Sequence, residues 1–295
     1  MRLSEVPPVI GLSVVRDCDF DNLGFLFDDL HRKLVFAEAP RFVLEACQSS
    51  GARCVICPAE LAPDFSAIPG LAISANPRIS FFNVQRWLVQ ETSFYGVDFD
   101  TEVHASARIH RRACIAERNV RIGPQTEIGA NAVIEERTTI GSRVRVRAGA
   151  VVGSEGFQTA RTEKSLIQMV HAGGVHIEDD AEVFANAVIA RGVFRQATVV
   201  GEGSRVGNGC FISHNVRIGR RCFIGHNSVI NGNTTIGNDA WIGPNATVSN
   251  LIRIGERASV TLGATVIESV EPDTQVTGVT ALPHRRMLRH IASIR

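Results

Sequence analysis

The stretch VGEGSRVGNGCFISHNVRIGRRCFIGHNSVINGNTTIGNDAWIGPNATVSNLIRIGERASVTLGATV, residues 200–266, carries an aliphatic at every sixth place: Val200, Val206, Ile212, Ile218, Ile224, Ile230, Ile236, Ile242, Val248, Ile254, Val260 and Val266. An α-helix would return its apolar face every 3.6 residues and a lone strand every 2, so a sustained period of six fits neither. It fits a left-handed parallel β-helix. There six residues make one short flat strand plus a bend, three units close a triangular coil, and the aliphatics stack inside the prism. Residues 18 apart then lie directly above one another. The small residue four places after each aliphatic, among them Ala132, Ala150, Ala187, Ser204, Cys210 and Cys222, is expected to face the tight interior beside the bend.

The period begins earlier, at Val103, Ile109 and Ile115, slips by one residue to Ile122, and continues through Ile128, Ile134, Ile140, Val146 and Val152. It lapses from Ser154 to about Gly174, resumes at Ile177, Val183 and Ile189, and reaches Val200 one residue short of two hexads. A solenoid buries a long insertion badly, so 154–174 is expected to leave the prism as a loop, and long loops on rigid scaffolds often carry function. The expected organisation is a small α/β domain over 1–97, the β-helix over 98–270 with its excursion, and a C-terminal extension with a basic helix over 271–295.

Composition sets outer limits. At 295 residues the chain holds two or three folding units. A formal charge of +1 excludes a globally basic nucleic-acid binder. No apolar run approaches a membrane span and MRLSEVPPVIGLSV is no export signal, so a cytoplasmic protein without stable membrane insertion is expected. Seven cysteines agree with a reducing compartment. Cys54 and Cys57 form a lone C-x2-C inside the strand-like ARCVIC, a poor basis for a metal site. Residues 1–97 lack hexads and alternate strand-like KLVFAE, ARCVICP and LAISA with helix-like APRFVLEACQSSG and PRISFFNVQRWLVQET. By pattern alone this domain caps the solenoid or recognises a substrate.

The order of parts resembles the UDP-3-O-acylglucosamine N-acyltransferase family of lipid A biosynthesis. The resemblance covers nearly the whole chain: LVFAEAPRFVLEACQSSGARCVICPAEL and ISANPRISFFNVQRWL look like that family's uridine-binding domain, and VVGSEGF (151–157), IARG (189–192) and ISHNVRIG (212–219) look like its active-site segments. The family's general base matches His214, two places after Ile212 at a corner. An imidazole is suited to take a proton from an attacking amine near neutral pH. Taken by itself the position reads as a solvated corner histidine. Gly232 lies 18 residues on, stacked over His214, and matches the family's oxyanion donor; by itself it is a common bend residue. The resemblance implies Phe36, Phe42, Asn215, Asn208, Gly156, Phe157, His171 and Arg191 as substrate contacts, and a homotrimer with the site between subunits. His226 sits at the equivalent place of another hexad on a different edge and reads as structural.

Departures from the family pattern are also informative. Leu251 stands where a second histidine is usual, Ala190 where an aspartate precedes Arg191 and Gly192, Ala39 and Phe42 where the uridine signature has asparagine and tyrosine, and Ser154, Glu155 and His171 differ around the excursion. Base and oxyanion glycine survive, so the chemistry reads as kept and the substrate as altered: a divergent N-acyltransferase for a UDP-linked amino sugar of lipopolysaccharide or surface polysaccharide, with the lipid A reaction proper as the near alternative.

After Pro283 a helix bearing Arg285, Arg286, Arg289 and Arg295 suits an acidic acyl carrier protein or the phosphates of acyl-CoA as donor, with Met287, Leu288 and Ile291 on its inner side. No metal or permanently bound cofactor is expected. Two other readings remain: a nucleotide-sugar-binding scaffold whose site has decayed, and a zinc carbonic anhydrase-like β-helix using His171 with His176.

Overall fold

A computed structural model describes residues 1–49, 51–96, 98–162, 165–278 and 284–293. The chain divides into two compact units: 1–99 with 155–174 and 192–196, and 100–154 with 175–191 and 197–295.

The second unit is a left-handed β-helix of three parallel sheets with nine, eight and eight strands. Partners stack 18 residues apart, as in Ile212 with Ile230 and Ile230 with Val248. The twelve aliphatics of 200–266 are all buried, none more than 6% exposed, and so are Ala132, Ala150, Ala187, Ser204, Cys210 and Cys222. At the first coil Val103 and Ile109 stack in register on Ile122 and Ile128 but are 44% and 36% exposed, because no coil precedes theirs. At the other end the strand Gln275–Val276 pairs with Ser259 and Val260, so the solenoid runs past residue 270.

Of the two interruptions in the register, the second differs from the sequence reading. At the first excursion Val152 pairs with Ile189, 37 residues on, and the intervening 155–174 leaves the prism. The step from Ile189 to Val200 is one hexad with extra residues, not two hexads less one, since Ile189 pairs with Ile212 and Val200 with Ile218. The residues 192–196 leave the solenoid as a second, shorter excursion.

The third place after an inward aliphatic turns the chain through the left-handed region. Asn215, Arg221, Asn227, Asn233, Asp239, Asn245, Leu251 and Arg257 all have φ between 53° and 62°. Asn, Asp and Gly tolerate that conformation best, which explains their recurrence at the bends. Along one corner these positions alternate in charge. Arg143 donates twice to Asp180 at 2.7 Å, Arg221 to Asp239 at 2.6 and 2.5 Å, and Arg257 to Asp273 at 2.6 and 2.8 Å. Hydrogen bonds from the arginines hold Asp180, Asp239 and Asp273 below the usual carboxylate range. A depressed folded pKa contributes stability above the unfolded value of about 3.9, and that contribution is lost as pH falls through the folded values. Asp239→Asn is therefore expected to lower the melting temperature at pH 7, by a small amount because the pair is exposed. The difference from the native chain should begin to narrow below about pH 3.9 and close only as pH falls through the depressed folded value of Asp239; circular dichroism melts over an acid pH series check it.

The first unit is built on a five-stranded sheet in the order Ser13–Arg16, Gly70–Ile73, Ala52–Cys57, Lys33–Phe36, Asn22–Leu23, with only Ser13–Arg16 antiparallel to its neighbour. Helices Arg41–Gln48 and Pro77–Gln90 fall on the two helix-like stretches. Alternation along the strands splits the core. Leu34, Cys54, Ile56 and Ala72 face Phe81, Phe82 and Leu88, whereas Val35, Val55, Cys57 and Leu71 face Ala46, Leu61 and Phe65. Cys54 and Cys57 thus point into different cores and do not share a metal site. The excursion is a hairpin, Thr159–Arg161 with Leu166–Gln168, rather than an open loop. Ala160, Met169, Val193 and Phe194 complete the first core, and Gln85 donates to the carbonyl of Val193 at 3.0 Å.

Candidate active site

His214 sits at the corner after the strand Phe211–Ile212 and is only 8% exposed. Its backbone is fixed on both sides. The carbonyl of His214 accepts from Asn233 N–H at 3.0 Å, Asn215 N–H donates to Thr198 Oγ1 at 2.9 Å, and Asn215 Nδ2 donates to Asn233 Oδ1 at 3.0 Å. The imidazole lies against Gly232 on the next coil. A Cβ at 232 would stand 2.4 Å from His214 Cε1 and 2.7 Å from Nε2.

This separates Gly232 from the ordinary bend glycines. Those directly after the aliphatic let adjacent coils close up: a Cβ at Gly201 would meet the Gly219 carbonyl oxygen at 2.3 Å, and one at Gly237 the Glu256 amide at 2.5 Å. At Gly232 the space is taken by the imidazole instead. Its amide is also unlike several of its equivalents. At other corners the amide two places after the aliphatic is accepted by a side chain of the next coil: Asn208 N–H by His226 Nδ1 at 2.9 Å, Arg220 N–H by Asn238 Oδ1 at 2.9 Å, Ser142 N–H by Asp179 Oδ1 at 2.8 Å. Among the described residues no acceptor meets the Gly232 amide. A nearly buried imidazole beside an uncommitted amide can pair proton abstraction with stabilisation of a developing oxyanion.

Leu251 has φ 62° and is 49% exposed. The left-handed conformation costs a side chain of this kind about 1–2 kcal/mol. Its N–H donates to the Gly232 carbonyl at 3.1 Å, which anchors the far side of that glycine.

The other expected contacts are dispersed. Asn215 adjoins His214. Asn208 is on a different corner, where its Oδ1 accepts from Ala185 N–H at 3.0 Å and its N–H donates to His226 Nδ1 at 2.9 Å. Arg191 donates to the Gly153 carbonyl at 2.5 Å and bridges two coils. Gly156, Phe157 and His171 belong to the first unit. Phe157 is 87% exposed, whereas Gly156 accepts from Gln168 Nε2 at 2.7 Å and His171 is 2% exposed with Nδ1 3.1 Å from the Met169 carbonyl. His176, the other histidine of the carbonic anhydrase reading, lies on a solenoid strand opposite Thr139. Arg285, Arg286 and Arg289 are exposed on the helix His284–Ser293, while Pro283 and Arg295 and the side chains of Met287, Leu288 and Ile291 lie outside the described residues.

Within the first unit a cavity of about 560 Å³ opens beyond the C-terminal ends of the parallel strands, the usual place for ligands in such sheets. It is lined by Glu38, Ala39, Arg41, Asn76, Arg78 and, from the excursion hairpin, Arg161, with Arg78 paired to Glu38. Arg41 lies over Phe42 at 4.7 Å and Arg78 over Phe36 at 5.7 Å, so each expected aromatic is covered by an arginine of the cavity wall. Phe36 and Phe42 pack on different cores. The arginines escaped the sequence reading because they are scattered over about 120 residues, from Arg41 to Arg161, and only the fold gathers them.

The fold is a hexapeptide-repeat solenoid. The model for the bacterial transferase hexapeptide (six repeats) matches residues 119–154 and 197–232, and that for the hexapeptide repeat of succinyl-transferase matches 215–250. The chain's homologues are UDP-3-O-acylglucosamine N-acyltransferases. That of Pseudomonas fluorescens (strain SBW25) is 27% identical over 73% of this chain and 64% of its own length, and that of Pseudomonas paraeruginosa (strain DSM 24068 / PA7) is 28% identical over 71% and 62%. The chain thus spans a little under two thirds of these curated relatives. Among solved structures, a UDP-N-acetylglucosamine acyltransferase from Campylobacter jejuni matches with TM-score 0.49 and 17% identity, over 65% of this chain and 83% of that one. Among the described residues no helix is long and apolar enough to cross a membrane.

Proposed function

We propose that the protein transfers an acyl group from a thioester donor to the amine of a UDP-linked amino sugar, with His214 as general base and the Gly232 amide as oxyanion donor. The carrying observation is the imidazole seated against Gly232, whose amide meets no acceptor among the described residues, in a chain whose homologues are named for such a transfer. The amine nitrogen attacks the thioester carbonyl as His214 removes its proton. The carbonyl oxygen becomes negative against the Gly232 amide. Collapse expels the thiolate, which takes the proton from His214, so no covalent enzyme intermediate forms.

The uridine diphosphate is assigned to the first unit. Arg41, Arg78 and Arg161 supply charge for the diphosphate, and the N-terminus of the helix Pro77–Gln90 adds its dipole. The reaction is placed in the cytoplasm, with the exposed Arg285, Arg286 and Arg289 receiving acyl carrier protein or acyl-CoA. The assembly is read as a homotrimer. Its support is one uncharged outer face, Cys114, Val133, Val151, Val188, Phe211, Val229, Thr247 and Thr265 in stacked register, whereas the other two faces carry charges at these places. His214 lies at the edge of that face.

Mass spectrometry of products from UDP-3-O-acylglucosamine and other UDP-amino sugars, each with acetyl-CoA and long-chain acyl carrier protein, tests the reaction; no acylated sugar from any pair would refute it. For the first unit, Phe42→Ala is expected to weaken UDP binding by about 1–3 kcal/mol without changing the oligomer. Unaltered affinity in calorimetry would leave the unit as a cap.

A further inference from the structure

We propose that the first unit's cavity holds a nucleotide base on the guanidinium plane of Arg78 and therefore takes nucleoside diphosphates without choosing among bases. The inference rests on the assignment of a uridine diphosphate to this cavity and widens the substrate class that it admits. Neither Phe36 nor Phe42 is among the residues lining the cavity, whereas the arginines that cover them, Arg78 and Arg41, are. A base entering there meets a guanidinium before it meets a ring.

Arg78 is held as a fixed plane. Along one edge it pairs with Glu38, Nε donating to Oε2 at 3.2 Å and Nη2 to Oε1, and the Phe36 ring lies against it. The side chain is still 46% exposed where it lines the cavity. A guanidinium so held stacks on aromatic faces, and every base has one. Glu38 offsets part of the charge of Arg78; Arg41 and Arg161, which meet no carboxylate among the described residues, carry the rest of the cavity's positive charge toward a diphosphate. What tells one base from another is the hydrogen-bonding pattern of its edge. At position 39 the side chain is a methyl group, and Glu38 is committed to Arg78. Asn76 makes no capping bond from its side chain at the start of Pro77–Gln90, so its amide can turn to offer a donor or an acceptor to any base edge. Stacking and charge thus carry the recognition, and neither depends on the base.

Calorimetry of the full chain with UDP, CDP, ADP and GDP tests this. The four dissociation constants are expected to agree within about fivefold, with the purines no weaker than UDP, since stacking tolerates every base. Arg78→Lys keeps the charge and removes the plane: it should weaken all four nucleotides by about tenfold and inorganic pyrophosphate by less than about twofold. Its melting temperature should hold, because the Arg78–Glu38 pair is exposed. Glu38→Gln, which loosens the guanidinium, should weaken the nucleotides by a smaller factor. UDP bound more than about tenfold tighter than the other three would overturn the proposal and leave the uridine assignment standing. Unchanged nucleotide affinity in Arg78→Lys would overturn it too. So would equal losses for pyrophosphate and nucleotides, which would put a phosphate rather than a base on the guanidinium, or tighter binding by Glu38→Gln, which would make the carboxylate a competitor of the ligand. If none of the four nucleotides binds, the uridine assignment fails first, and the stacking platform with it.

Discussion

His214→Ala is expected to slow acyl transfer by about 10²–10⁴-fold while the protein remains folded and binds UDP as before. An amine acceptor must lose a proton on the way to the tetrahedral intermediate, and in the proposed mechanism the imidazole beside Gly232 receives it. The fold should survive because the His214 contacts that join coils run through its backbone: its carbonyl bonds Asn233, and the stacking of Ile212 on Ile230 is untouched. His226→Ala provides the contrast. Its ring caps the Asn208 amide at another corner, so the substitution should cost some stability and little rate. Steady-state rates for both variants with a competent donor and acceptor decide the matter. Full turnover by His214→Ala would exclude the mechanism.

Gly232→Ala should lower the rate by about 10²–10³-fold, the range for losing one preorganised oxyanion donor. The physical cause is specific. The added Cβ would stand 2.4 Å from His214 Cε1, so the imidazole must move, while the Cβ itself crowds the approach to the amide. One methyl group thereby disturbs base and oxyanion donor together. The solenoid should tolerate it, since the nearest atoms to that Cβ belong to a side chain rather than to the next coil's backbone. Gly201→Ala makes the reverse prediction: its Cβ would meet the Gly219 carbonyl at 2.3 Å, so stability should fall with no particular effect at the His214 corner. Melting curves alongside rates separate the two. If Gly232→Ala turned over at the native rate, the amide would have no part in the reaction.

The two variants also show how far the candidate site was legible. Spacing alone put position 232 over 214, because a solenoid converts an 18-residue separation into contact. It also put Gly232 two places and Gly201 one place after an aliphatic, but what a Cβ would meet at each, an imidazole or a neighbouring carbonyl, only the structure shows. Asn208 and Asn215 looked alike as polar neighbours of the repeat, yet they stand on different corners, six residues being one face of the prism.

By itself the sequence determined the solenoid, its register within uninterrupted runs, its inward aliphatics and the small residues beside its bends. The reason is that each is a short-period property: six residues repeat one local solution, and burial of one aliphatic per unit enforces the register. Tertiary structure decided what depends on contacts between distant segments. It turned the 155–174 stretch into a hairpin that fills the first unit's core, made 192–196 an outward excursion, and buried His171. It gathered Arg41, Arg78 and Arg161 around one cavity and, across the excursion, aligned Arg143 with Asp180. No local periodicity encodes those arrangements, because their free energy comes from burial and charge pairing across chain separations that pattern alone does not span.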